Sequence, residues 1–170
     1  MKLQCGISTP LGEMVARVEQ DSLCELRFVG QKYTREDDRN WLEETDHPVF
    51  MALRRQLDAY FAGNLRTFDL PLAPKGTPFQ LAVWALLRTI PPGATTTYGT
   101  LARTVAEHRE GRIPAAQAVG GAVGHNPIAI IIPCHRVVGA NGSLTGYAAG
   151  LDRKAALLAL ENVENLPVQT

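Results

Sequence analysis

The chain has 170 residues, 45% of them hydrophobic and 20% charged, which suits one large domain or two small ones and excludes a disordered chain. No apolar run approaches the roughly 20 residues of a membrane span, and the start, MKLQCGISTPLGEM, has no apolar leader; with three scattered cysteines (Cys5, Cys24, Cys134) the expectation is reduced thiols in the cytoplasm, not a disulfide framework. Net charge is zero, with ten basic against twelve acidic residues in 1–75 and seven against five in 76–170, an asymmetry that permits a DNA-facing second half without demanding one.

In chain order, Ser8-Thr9-Pro10-Leu11-Gly12 is turn chemistry, and Met14–Val18 and Leu23–Val29 alternate as strands. The acidic stretch Glu36–Asp46 reads as loop or exposed helix. From Val49 the pattern turns helical, with Phe50, Leu53, Leu57, Tyr60 and Phe61 on one face and Gly63-Asn64 as the stop. Two prolines and a glycine make DLPLAPKG (69–76) the candidate linker. A helix starts cleanly after it, with Thr77 as N-cap, Pro78 in the first turn and Gln80 closing a capping box; Pro91-Pro92-Gly93 stops it. Thr95–Thr97 is β-prone, Tyr98–Ala106 a short helix, Glu107–Pro114 a charged loop and Ala115–His125 a further helix. An apolar strand-like run at 128–132 precedes a glycine-rich loop. Leu151–Glu161 is an amphipathic helix.

The helix AAQAVGGAVGH (115–125) is unusual. A glycine costs about 1 kcal/mol in a helix interior, so Gly120, Gly121 and Gly124 need a reason: tight packing on neighbours, or an outer face that enters something narrow. A major-groove reader needs several long polar side chains, and this helix offers essentially Gln117. A slim Ala/Gly surface suits the minor groove, about 6 Å wide, with little sequence readout.

In IIPCHRVV (131–138), Cys134 and His135 follow a proline where a buried run ends. A thiolate is the nucleophile, and a nearby base raises its fraction. Adjacent residues on regular structure point apart, so a direct bond needs a turn, which Pro133 can introduce; otherwise a water carries the proton. Glu161 is the candidate acid to orient the imidazole. On spacing alone, an inert buried cysteine beside a surface histidine is the competing reading, and Tyr98 and Tyr147 read as core or loop packing.

IPCHRVV resembles the active-site signature of the O6-alkylguanine-DNA alkyltransferases. So, in order, do GTPFQLAVWALLRTIPPGATTTYGTLA (76–102), AVGGAVGHNP (118–127) and GSLTGYAAGLDRKAALLALE (142–161). STPLG (8–12) resembles the family too, and YFAGNL (60–65) is similar to its bacterial constitutive form. The resemblance implies an α+β chain: a small N-terminal α/β domain over 1–74 (antiparallel sheet plus helix, ribonuclease H-like) and a mostly helical winged helix-turn-helix domain over 75–170. It implies that Cys134 accepts the alkyl group, that His135 takes the thiol proton through a water, that Glu161 orients His135 and that Asn126 is a hinge. Tyr98, Val137, Tyr147 and Ala148 become the base pocket. Gln117, Ala115, Ala118, Gly121 and Arg136 become the DNA contacts. The partner is double-stranded DNA, bound through the minor groove with little sequence specificity by a monomer able to cluster there, and no membrane is involved.

An O6-alkyl group inside a duplex lies out of a cysteine's reach, so the nucleotide must leave the stack at a cost of a few kcal/mol. Displacement at a saturated carbon then leaves a thioether, so one chain repairs one lesion; O4-alkylthymine is a further lesion of the same kind. No metal or organic cofactor is required. Animal members carry a structural zinc, but Cys5 and Cys24 without a CxxC pair fall short of four ligands. Where many members carry a finger arginine this chain has Gln117, which lacks the cation and planar fork; Ala148 stands where some have serine. Two other readings stay open: a lesion sensor that does not repair, which would lack the reactive cysteine, and a Cys-His hydrolase, which would need an oxyanion hole and turnover.

Overall fold

The computed structural model describes residues 1–33, 40–109 and 111–162. The chain forms two compact units, Met1–Lys75 with Pro127–Ala129, and Gly76–Asn126 with the chain from Ile130 on.

In the first unit, β1 (Lys2–Thr9), β2 (Gly12–Glu19) and β3 (Ser22–Phe28) form an antiparallel meander, and β4 (Leu42–Glu43) adds to β1 in parallel, giving the order β3-β2-β1-β4. Thr9 pairs with Gly12, so Pro10 and Leu11 make a two-residue turn. Gln20 and Asp21 make the next, both with positive φ (52° and 61°), as a twist-matched hairpin requires. Along β1 the buried residues alternate, Leu3, Cys5 and Ile7, with a period of two. Against that face lies α1 (Pro48–Phe61), which buries Phe50, Leu53, Leu57 and Tyr60. His47 caps α1 through Nδ1, which accepts from the Val49 N–H at 3.1 Å, and Gly63 ends it in the left-handed region at φ 81°.

Four expectations change here. The acidic stretch contributes β4, although Glu36–Arg39 lie outside the described residues. Val29 lies beyond β3 and is exposed. The candidate linker is docked: Leu23 N–H donates to Pro71 O and Ala73 N–H to Leu23 O, both at 2.8 Å, so Leu72 bridges the outer edge of β3. Farther along the same edge Leu26 N–H donates to Pro127 O and Ala129 N–H to Leu26 O, again at 2.8 Å. The apolar run 128–132 is therefore a single bridge, Leu26 to Ile128, and not a strand. Ile130 has φ 71°, which reverses the extended backbone and ends the ladder.

The second unit holds α2 (Pro78–Leu87), β5 (Thr96–Thr97), α3 (Tyr98–Arg109), α4 (Ala116–Gly124), a 3-10 turn (Cys134–Arg136), β6 (Val137–Val138) and α5 (Leu151–Leu160). The expected capping box is present: Thr77 Oγ1 accepts from Gln80 N–H and Gln80 Oε1 from Thr77 N–H. Helices α2, α3 and α4 share a core of Val83, Trp84, Leu87, Leu101, Val105, Val119 and Val123. Trp84 Nε1 donates to Ala122 O at 2.8 Å, tying α2 to α4. A side chain at residue 76 would meet that indole, a Cβ on Gly76 falling 2.5 Å from it, so glycine is required there. Helix α3 runs three residues past Ala106, into the expected loop. β5 pairs with β6 in parallel, Thr96 opposite Val137, which leads the chain out of the turn beside the start of α3.

Candidate active site

Pro133 opens the site. Its φ and ψ of −83° and 66° form an inverse γ-turn, closed by Cys134 N–H donating to Ile132 O at 2.8 Å. The same Ile132 oxygen accepts from Asn126 Nδ2 at 2.7 Å. The residue after α4 thus fastens the turn carrying the cysteine, an arrangement suited to the hinge role expected of Asn126. The 3-10 turn that follows is closed by Arg136 N–H donating to Pro133 O at 3.0 Å.

Cys134 and His135 on this turn are both buried. His135 Nε2 lies 2.8 Å from Glu161 Oε2, while Nδ1 has no hydrogen-bond partner among the described residues. Glu161 caps the C-terminal end of α5 and is itself buried. A carboxylate facing Nε2 places the ring proton there and leaves Nδ1 as the basic atom. Burial holds the imidazole below its ordinary range, against the upward pull of Glu161, so it is neutral and able to accept a proton at neutral pH.

Burial likewise pushes the Cys134 thiol up. The neighbouring side chains of Asn126 and Tyr147, and the charge of Lys154, pull it back. The resting group is a thiol whose anion has three stabilisers already in place. Tyr98 is half-buried and donates from its hydroxyl to Thr145 O at 3.3 Å; burial raises its pKa. Val137 is fully buried on β6, and Tyr147 and Ala148 are half-buried. Cys134, His135, Glu161, Asn126 and both tyrosines therefore belong to one neighbourhood.

Arg136 is a correction. Expected to contact DNA, it is 6% exposed and turned inward. Its Nε donates to Glu161 Oε1 at 2.8 Å, Nη2 to Glu161 Oε2 at 2.9 Å and Nη1 to Ile90 O at 2.6 Å. A bidentate pair satisfies a buried guanidinium far better than an isolated one, so the charge stays inside. Ala115, Gln117, Ala118 and Gly121 do lie on the exposed face of α4. A Cβ on Gly121 would meet nothing within 4 Å, and one on Gly120 only the Tyr98 ring at 4.0 Å. Packing among the described residues does not demand glycine at either position.

Lys154 is a site residue that sequence reasoning missed. It is fully buried, and its Nζ donates to Thr145 O at 2.9 Å and Gly146 O at 3.1 Å. Burial lowers its pKa to about 8. The available signal was its place on α5: Leu151, Lys154 and Leu158 share one helical face, and two of the three are ordinary core residues.

A family model for the DNA-binding domain of 6-O-methylguanine DNA methyltransferase matches residues 78–163, and one for that family's ribonuclease-like domain matches residues 6–74. The chain belongs to this family. A methylated-DNA–protein-cysteine methyltransferase of Methanosarcina acetivorans is 47% identical over 153 residues, covering 90% of this chain and 94% of the relative. One from Mycobacterium tuberculosis is 47% identical over 156 residues, covering 91% and 89%. The crystal structure of Mycobacterium tuberculosis OGT in complex with DNA superposes with a TM-score of 0.82 at 44% identity, covering 94% of this chain and 92% of that one. The methyltransferase family thus accounts for both halves of the α+β chain.

Proposed function

We propose that this chain reverses alkylation damage in DNA by taking the alkyl group from O6 of a guanine onto Cys134, once per molecule. The observation that carries this reading is buried Cys134 and His135 on a turn fastened by Asn126, with Glu161 at the end of α5 bonded to the imidazole. His135 Nδ1 receives the thiol proton through a water while Glu161 holds the imidazole. The thiolate sulfur attacks the alkyl carbon, the carbon–O6 bond breaks, and its electron pair leaves with the guanine, which then takes up one proton. A sulfur–carbon bond has replaced an oxygen–carbon bond. The thioether is not displaced by water, so the protein is consumed.

Because the site is buried, the damaged nucleotide must come out of the duplex to reach it. Tyr98 and Tyr147 flank the place it would occupy, and backbone groups at Val137 and Ala148 read its edge. The exposed face of α4, with Ala115, Ala118 and Gly121 around Gln117, fits the minor groove without sequence readout. DNA as the partner agrees with the relative solved in complex with DNA. We propose a monomer, acting in the cytoplasm, where its free cysteines stay reduced; no helix of the described residues is long and apolar enough to cross a membrane.

The test is to mix the protein with duplex DNA carrying one O6-methylguanine and measure intact and peptide mass. The expected result is one added methylene on the Cys134 peptide, saturating at one per chain. Tight lesion binding with no gain in mass would make the chain a sensor, and repeated turnover on a small ester would make it a hydrolase.

A further inference from the structure

Lys154 takes no part in the proton path above, yet its ammonium is buried to 0% exposure beneath the pocket. Taking an ammonium out of water is costly unless it is bonded and counter-charged. The two bonds it makes go to neutral carbonyls, Thr145 O and Gly146 O. Thr145 O also accepts from Tyr98, and Tyr147 follows directly in the chain. One lysine thus fastens the loop between the two pocket tyrosines. The titratable and charged side chains on the elements around it are Cys134, His135 and Arg136 on the 3-10 turn, Tyr98, Tyr147, and Asp152, Arg153 and Glu161 on or next to α5. The charge of Lys154 bears on Cys134 and His135.

We propose that the Lys154 ammonium is the counter-charge of the Cys134 thiolate and at the same time holds the Thr145–Gly146 loop, so that alkyl transfer requires Lys154 to be protonated. The inference rests on the transferase reading and adds a positioning residue to it. Lys154 exchanges no atom in the reaction. It stabilises the sulfur anion between loss of the thiol proton to His135 and formation of the sulfur–carbon bond. It also opposes a positive charge on His135, which keeps the resting imidazole neutral. Above about pH 8 the ammonium is lost, and with it the counter-charge.

The experiment measures single-turnover methyl transfer from duplex DNA with one O6-methylguanine, at limiting DNA, from pH 6 to 9.5. Wild type is compared with Lys154→Met and Lys154→Arg, with folding checked by circular dichroism. A nearby cation lowers a thiol pKa by about one unit or more, so K154M is expected to be about tenfold slower or worse at pH 7. The wild-type rate rises with pH and then falls as pH passes about 8. K154M lacks the falling limb, and K154R, whose charge persists, restores the pH 7 rate and keeps it at high pH. A K154M rate equal to wild type overturns the proposal. So does a slowing by one factor at every pH with the falling limb intact, which marks a mere structural prop. If K154M does not fold, the wild-type and K154R profiles decide: a fall in the first that is absent from the second supports the proposal, and coincident profiles overturn it. A wild type that accepts no methyl group at any pH refutes the transferase reading itself and this inference with it.

Discussion

Replacing Glu161 by glutamine tests the centre of the site with little change of shape. Three donors converge on this carboxylate: His135 Nε2 at 2.8 Å, Arg136 Nε at 2.8 Å and Arg136 Nη2 at 2.9 Å. All three side chains are buried, so water does not replace what is lost. The amide offers one acceptor oxygen and a donor nitrogen. If its nitrogen takes the place of Oε1 it faces Arg136 Nε, donor against donor. If it takes the place of Oε2 it faces both Arg136 Nη2 and the imidazole, and the imidazole can relieve only its own clash by moving its proton from Nε2 to Nδ1. That removes the basic atom from the side where the thiol proton must arrive. In both cases the guanidinium keeps its charge and loses its counter-ion. Removing one partner of a buried pair costs about 3 kcal/mol or more, a large share of the roughly 5–15 kcal/mol that holds a domain folded. The variant is therefore folded at 25 °C with a visibly lower urea midpoint. Loss of a general base costs about a hundredfold or more in rate. Urea unfolding and single-turnover transfer on the same preparation measure both quantities. A variant as stable as wild type that still transfers at the wild-type rate would refute the account of Glu161 as the shared anchor of His135 and Arg136.

Two further outcomes follow from the site and the exposed helix. Gln117→Arg adds a cation to the exposed face of α4, so it tightens binding to duplex DNA severalfold and steepens the salt dependence by up to about 0.9 in log K against log salt; an unchanged affinity places residue 117 away from the DNA. Burial lowers the pKa of His135 from its ordinary 6.5, so on acidification the unfolded chain takes up this proton first. The contribution is complete above about pH 6.5 and is lost as pH falls toward the folded value. Urea curves between pH 7.5 and 5 are expected to show that decline, and His135→Gln to remove its share of the slope.

Some of this was legible in order along the chain, because the signals are local. The box at Thr77, Pro78 and Gln80 marks a helix start through bonds spanning three residues, and the apolar spacing from Phe50 to Tyr60 marks α1 through a period that needs no partner. The PCHR stretch carries its chemistry in four consecutive residues, and resemblance alone joined it to Asn126 and Glu161. What the sequence could not determine were pairings between residues distant in the chain. DLPLAPKG has the composition of a linker, yet Leu72 is held by Leu23 because two backbone groups at the edge of β3 need partners. The run 128–132 has the composition of a strand, yet Ile130 turns it aside after one bridge. Arg136 reads as a surface cation beside a DNA-binding helix, but burial makes a bidentate carboxylate and the carbonyl of Ile90, 46 residues away, its proper partners. Lys154 reads as one more charge on an amphipathic helix. Only the tertiary structure, by bringing the Thr145–Gly146 loop and Cys134 to the inner face of α5, turns that charge into part of the site.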